Sequence, residues 1–285
     1  MPEGSHRFTV GNIRCTVLAD GYVAYPVSWV FPNAAPDALE RALASRRLPQ
    51  GTVVSPYTCL LIESGRDVVL VDAGAGAGSL SCGAIRARLE MAGLRPRDVD
   101  TVVLTHGHPD HIGGAVNPCG RPAFPGARYV LAEAEVEFWL APRCRLDSLR
   151  VPDEMKRIIE RTARHCLAAL RFQLEPIDRE CQIVPGVRAI PAPGHTPGHL
   201  ALLIESAGER LLHIGDAAVH PLHLAQPEWE NGLDLAADAA LRTRRELIER
   251  AVRERMHVMA FHFPFPSIGR VAPLPEGGWH WTPGW

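Results

Sequence analysis

Apolar positions along the chain alternate with polar ones in several short runs and recur every three or four residues in a few longer ones. The run Phe8 to Leu18 alternates across Gly11-Asn12, which predicts a β-hairpin. Thr58–Glu63 and Asp67–Asp72 read as two strands joined by Ser64-Gly65-Arg66. Further strands are expected at Thr101–Thr105, Ala127–Leu131, Val187–Pro191, Leu200–Glu205, Arg210–Ile214 and His257–Phe261. Helical spacing appears at Pro36–Ser45, Ala84–Ala92, Glu133–Leu140 and Asp238–Arg255. It is strongest over Asp153–Phe172, where Met155, Ile158, Ile159, Thr162, Cys166, Leu167 and Leu170 share one face. Between the first strands, Tyr22 to Pro56 holds Pro26, Pro32, Pro36, Pro49 and Pro56 together with Trp29 and Phe31, so it reads as a long aromatic-bearing loop around the short helix. The tail from Pro264 to Trp285 is rich in Pro, Gly and Trp and predicts no helix.

Strands precede mixed strand and helix, and the pattern returns in the second half. Two central sheets with helices outside satisfy it. No internal repeat and no Gly/Ser-rich linker divides the 285 residues, so one domain over 1–285 is expected. Its flanks are an N-terminal hairpin and aromatic loop (1–57) and the Pro/Trp-rich tail (264–285).

A net charge of -2 leaves no basic excess to neutralise a phosphate backbone, which argues against nucleic acid as a partner. No run of 18 apolar residues exists, so no membrane span is expected. Met1 to Val10 lacks the apolar core of a secretory signal. Seven cysteines without a C-x-x-C spacing suit reduced thiols, so a cytoplasmic location is expected.

The chemistry concentrates in Thr105-His106-Gly107-His108-Pro109-Asp110-His111-Ile112-Gly113-Gly114, entered directly from an apolar strand. Three imidazoles and a carboxylate within six residues can serve two adjacent cations. Without thiolates, the set favours Zn, Mn, Co or Fe. Three further pieces follow strands: Pro193-Gly194-His195-Thr196-Pro197-Gly198-His199, then Leu212-His213-Ile214-Gly215-Asp216, then Phe261-His262-Phe263-Pro264-Phe265-Pro266.

In this order the motifs, from about Thr58 to His262, resemble the metallo-β-lactamase superfamily. The resemblance implies an α+β fold, the αβ/βα sandwich of two central mixed sheets flanked by helices, with a dinuclear site at one edge. It implies one ion on His106, His108 and His195, a second on Asp110, His111 and His262, and Asp216 bridging them. Asp72 matches a buried supporting Asp, and His199 a position that supports its loop. Two divalent ions, zinc first, would hold a bridging hydroxide that attacks an electrophilic carbonyl or phosphoryl centre, with Asp110 holding it or passing a proton.

Asp216 stands where class B1 and B2 β-lactamases carry Cys and class B3 enzymes Ser, which argues against an antibiotic lactamase. Ala260-Phe-His262-Phe-Pro-Phe-Pro-Ser-Ile-Gly-Arg-Val271 is similar to the late motif of the lactonase and methyl parathion hydrolase-like branch. That likeness implies a lactone or ester hydrolase with promiscuous activity on phosphotriesters. Alternatives are a thioesterase like hydroxyacylglutathione hydrolase, a mononuclear iron enzyme like persulfide dioxygenase, and a metal-binding module without catalysis. The best-known acyl-homoserine lactonases place a Tyr shortly after the bridging Asp, whereas Tyr22, Tyr25, Tyr57 and Tyr129 all lie far upstream, so His220 or His223 is the candidate donor. The candidate pocket residues are Trp29, Phe31, Trp139, Leu222, Trp229, Phe263, Phe265 and Ile268. A small-molecule substrate is expected, and a homodimer is implied by the resemblance and the apolar tail.

Overall fold

In the computed structural model, which describes residues 4–78 and 81–285, the first half of the chain builds one seven-stranded sheet in sequence order. β1 (Ser5–Val10) and β2 (Ile13–Pro26) form the expected hairpin, with Gly11 at φ 55° as a left-handed turn residue. Two short helices, α1 (Val27–Val30) and α2 (Pro36–Ser45), lead to β3 (Thr52–Ser64) and β4 (Asp67–Val71), which continue the antiparallel meander. β5 (Thr101–Val103), β6 (Arg128–Ala132) and β7 (Leu174–Ile177) then add in parallel. Parallel neighbours need crossovers. These contain α3 (Ile85–Met91), the single turn α4 (Pro109–Ile112), α5 (Glu133–Leu140) and α6 (Asp153–Leu170).

The second sheet holds β8 (Cys181–Val184), β9 (Val187–Pro191), β10 (Leu200–Ser206) and β11 (Glu209–His213) as antiparallel neighbours. The turn α7 (Leu222–Ala225) and the helix α8 (Ala237–Arg253) carry the chain to β12 (His257–Met259), which pairs parallel to β11. β13 (Ile268–Pro273) and β14 (Trp279–Pro283) close the sheet.

The two-residue period of the strands decides the layers. Leu60, Ile62, Val69, Val71 and Val103 meet Leu202, Ile204 and Leu211 between the sheets. Their neighbours Leu61, Leu70 and Val102 face the other way, against Ile159, Ala163 and Leu167 of α6. On the far side, Ala201, Leu203 and Leu212 pack on Leu247, Ile248 and Ala251 of α8. The result is helix, sheet, sheet, helix. At about 1.5–3 kcal/mol per large apolar side chain, this burial is the main term that holds the layers together.

One expectation needs correction, and two sets of strands were not expected. The aromatic loop is shorter than Tyr22–Pro56, because β2 runs on to Pro26 and pairs with β3 from Thr52. The tail contains the β13–β14 hairpin, whose mostly exposed residues lack a clean apolar alternation. The edge strands β7 and β8 carry too few buried positions to show a period.

Register explains where a site can form. Val71 lies opposite Val103 in the first sheet, and His213 opposite Met259 in the second, each pair parallel. The chain therefore leaves β4 and β5, and likewise β11 and β12, from one shared edge.

Candidate metal centre

Each histidine-bearing loop departs from a strand end and is held by short-range chemistry. Asp72 follows β4 at φ 61°, an αL position that Asp tolerates. Its carboxylate accepts from Thr105 N (2.7 Å), from Thr105 Oγ1 (3.0 Å) and from His111 Nδ1 (2.8 Å). Pro109 starts the single turn of α4, which carries Asp110 and His111. Gly215 precedes Asp216 at φ 50°, and a Cβ there would lie 2.5 Å from His199 Nε2, so only glycine fits.

These loops converge. Donor atoms of His106, His108 and His195 lie within 4.8 Å of one another, as do those of His106, His111 and Asp216, and those of Asp110, His111 and His262. Asp216 Oδ2 is 3.1 Å from His262 Nε2 and 3.4 Å from both His111 Nε2 and His195 Nε2. Asp110 Oδ2 is 3.3 Å from His262 Nε2. The Nε2 atoms of His106, His108 and His111 and Asp216 Oδ1 are buried with no hydrogen-bond partner among the described residues. Buried polar atoms are rarely left so. His106, His111 and Asp216, which carry three of these atoms, converge in one group, and His108 meets it through Nδ1, 3.0 Å from His195 Nε2, so together they form a donor set that divalent cations can complete.

Electrostatics agree. Burial drives the His106 and His108 imidazoles well below their ordinary range, so both are neutral at neutral pH. Burial also pushes His111 and His262 down, but Asp216 leads the carboxylates that outweigh it and raise both. Burial would lift the Asp216 carboxyl, but His262 and His111 hold it well below the usual carboxylate range.

Residues 52–253 match the model of the Metallo-beta-lactamase superfamily. The chain belongs to this superfamily. An N-acyl homoserine lactonase of Bacillus cereus is 27% identical over 190 residues, which cover 59% of this chain and 66% of that one. A probable metallo-hydrolase of Mycobacterium tuberculosis is 29% identical over 192 residues, 56% of each chain. The chain thus spans less than two thirds of these relatives. Among solved structures, the dizinc quorum-quenching lactonase AidC superposes with a TM-score of 0.92 at 23% identity, covering 99% of this chain and 98% of that one. The hydrolase AbOPH follows at 0.88 and 24%, covering 100% and 99%. At these identities the likeness is one of fold.

Within this metallo-β-lactamase fold, the histidines are aimed by partners that sequence reading missed. His195 Nδ1 donates to Asp234 (2.8 Å), and His262 Nδ1 lies 2.9 Å from Ser55 Oγ and 3.1 Å from Pro56 O. Each bond leaves Nε2 facing the cluster. His199 is used up by backbone: its Nδ1 donates to Ala192 O, and its Nε2 accepts from Asp216 N. Glu135 is fully buried and clamps two loops, accepting from Gly107 N (2.9 Å), Gly198 N (2.9 Å) and Trp139 Nε1 (2.6 Å). No spacing marks it among the glutamates of α5. Removing it orphans three buried donors, so Glu135→Ala is expected to cost about 2–3 kcal/mol in urea unfolding and to weaken metal binding by about tenfold.

A mainly apolar cavity of about 800 Å³ opens beside the cluster. His108 and Asp110 line it together with Tyr25, Tyr57 and Trp29, with Met155, Ile159 and Cys166 of α6, and with the polar Asn117, Arg161, Thr162 and His165. Of the eight expected pocket residues, Trp29 alone lines it. Phe31, Leu222 and Trp229 pack together with Val30, Leu43 and Val53 under α2. Trp139 is buried behind His108 with its indole N–H on Glu135. Phe263 packs on Trp281 in the outer core, Ile268 lies between the sheets, and Phe265 packs against that layer. In each case core burial wins over cavity exposure.

His220 and His223 are likewise absent from the cavity wall. His220 Nδ1 accepts from Leu222 N (3.1 Å), and His223 Nε2 donates to Val30 O (3.0 Å). Burial holds the His220 imidazole down to about 4. Its folded value lies below its unfolded one, near 6.5, so its stabilising effect is full above pH 6.5 and is lost as pH falls toward 4. Asn at this position keeps the bond to Leu222 N and removes the titration. His220→Asn is therefore expected to recover about 2 kcal/mol of the stability lost between pH 7 and pH 4.5, read by urea melts at both pH values. Turnover should stay within about threefold of wild type.

Proposed function

We propose that this protein is a dinuclear metal-dependent hydrolase of lactones or esters that carry an apolar chain. The observation that carries this reading is the convergence of three buried His/Asp donor groups next to a mainly apolar cavity that His108 and Asp110 help to line. His106, His108 and His195 would hold one ion, and Asp110, His111 and His262 a second, with Asp216 shared. When bound, two divalent cations supply a water of lowered pKa and Lewis acidity toward an acyl or phosphoryl oxygen. The all-N/O donor set fits zinc, with manganese, cobalt and iron also suited to it.

The chain's own residues do the rest. Met155, Ile159 and Trp29 take an apolar chain and exclude water around it. Asp110 borders the cavity with its side chain 15% exposed, so one carboxylate oxygen can take a proton from water and pass it to the departing oxygen. The named activity of the Bacillus cereus relative favours lactones. The seven cysteines, with no C-x-x-C spacing among them, suit the reducing cytoplasm.

The test is a pH-stat panel on zinc- and manganese-loaded protein, with γ- and δ-lactones, an aryl ester, a thioester and a dialkyl aryl phosphate side by side. Lactones or esters should lead by about 100-fold in kcat/KM, or about 2.7 kcal/mol. A thioester lead, or one tightly held iron with oxygen-dependent turnover, would replace this reading.

A further inference from the structure

The cavity wall holds a pair of hydroxyls that no step above employs. Val23 and Tyr25 of β2 and Tyr57 of β3 line the cavity together. Tyr25 and Tyr57 are hydrogen-bonded to each other through their hydroxyls. Two phenols carry two hydrogens, and one of them bridges the pair. The other has no acceptor among the described residues, although Asp110 stands on the same cavity. Tyr57 is the deeper of the two, 4% exposed, with its ring edge-on to His262 at 5.3 Å. Tyr25 is half-buried and also borders the narrow branch shared by Asp110, Asp216 and His262. Either hydroxyl can donate to the other; when Tyr57 donates to the Tyr25 oxygen, the Tyr25 O–H is left open toward this branch.

A phenol ordinarily loses its proton at about pH 10, so both hydroxyls keep their hydrogens at neutral pH. A donor that is itself hydrogen-bonded is polarised and gives a stronger bond. Beside Val23 and Trp29, and in a cavity that His108 and Asp110 also line, such a group can donate to a bound substrate.

We propose that the Tyr25–Tyr57 pair is the hydrogen-bond donor that faces the substrate: Tyr25 O–H bonds the substrate oxygen that gains negative charge as the acyl–oxygen bond opens, and Tyr57 acts through Tyr25. This role rests on lactone or ester hydrolysis at the adjacent centre. Tyr57 is a positioning residue, whereas Tyr25 touches the reacting atoms.

The experiment compares Tyr25→Phe, Tyr57→Phe and the double variant, all metal-loaded, on an alkyl γ-lactone and an aryl ester. In parallel, an alkylphosphonate, which mimics the tetrahedral anion, is titrated by calorimetry. Phenylalanine keeps the ring packing, and circular dichroism with metal content confirms an intact fold. Tyr25→Phe should lower kcat by about 10²–10³ with little change in KM. Tyr57→Phe should cost about tenfold, and the double variant should match Tyr25→Phe alone, because the two residues act as one unit. Phosphonate affinity should fall about tenfold or more in Tyr25→Phe.

A kcat for Tyr25→Phe within about threefold of wild type would overturn the role of the pair. Losses that multiply in the double variant would overturn the action of Tyr57 through Tyr25. If wild type opens no lactone or ester, the hydrolytic reading fails separately, and the phosphonate arm still decides: equal affinity in wild type and Tyr25→Phe removes the donor role, and weaker binding in the variant retains it.

Discussion

An Asp216→Ala protein is expected to lose about 10⁴-fold in kcat/KM, or about 5.4 kcal/mol of transition-state stabilisation. The reason is geometric. Asp216 Oδ2 lies within 3.4 Å of His111, His195 and His262, so one carboxylate touches both proposed ligand groups. No other acidic side chain of the clusters is so placed: Asp110 approaches His111 and His262 alone, and Asp72 is spent on Thr105 and His111. Alanine removes the shared negative charge, so two cations held on neutral imidazoles would repel each other with Asp110 alone to offset them.

The fold readout separates this from simple unfolding. Asp216 also receives no hydrogen bond that a strand needs; its own N–H goes to His199 and is kept in the variant. The metal-free variant should therefore melt near metal-free wild type. Added zinc at 100 times the wild-type Kd stabilises wild type by about 2.7 kcal/mol, and it should stabilise the variant by less than about half of that. A variant that retains two ions per chain and turns over within tenfold of wild type would remove Asp216 from its proposed place.

How much of this was legible in one sequence depends on how locally each feature is encoded. The layers follow from period-two strands and period-3.6 helices, and α2, α5 and β9 keep the bounds that the pattern predicts. The histidine loops were legible because each motif is contiguous and each follows an apolar strand. The orienting groups were not. Asp234 meets His195 across 39 positions, and Ser55 meets His262 across 207, with no local signal at either end. Tyr25 and Tyr57 sit in ordinary strand patterns, and only the β2–β3 register brings them to one cavity. The pocket aromatics were misplaced for a different reason. An aromatic side chain near a loop gains as much from core burial as from a cavity wall, and sequence cannot rank the two. Phe31 and Trp229 found each other instead, with ring centroids 5.4 Å apart.

The largest expected effect on stability belongs to Asp72→Ala. This carboxylate is fully buried and sits at the junction of β4 with the loop after β5. It takes the Thr105 N–H and hydroxyl, and it takes His111 Nδ1–H, so it fixes both the path of the motif and the tautomer that aims His111 Nε2 inward. Alanine strands these donors in a site that water cannot enter without disturbing the layers. Breaking one partner of a buried pair costs about 3–5 kcal/mol, and the variant should lose that much in denaturant unfolding at pH 7. Metal affinity should fall by about 100-fold, because the imidazole is no longer oriented. Asp72→Asn distinguishes charge from shape. Its Oδ1 can still accept from Thr105 N, but its amide faces His111 Nδ1 with a donor, so His111 must change tautomer or turn away. Asn should therefore keep about half of the stability lost in Ala and still lose about tenfold in metal affinity. Equal metal affinity in Asp72→Asn and wild type, measured by competition with a chelator, would show that the His111 tautomer does not matter to the centre.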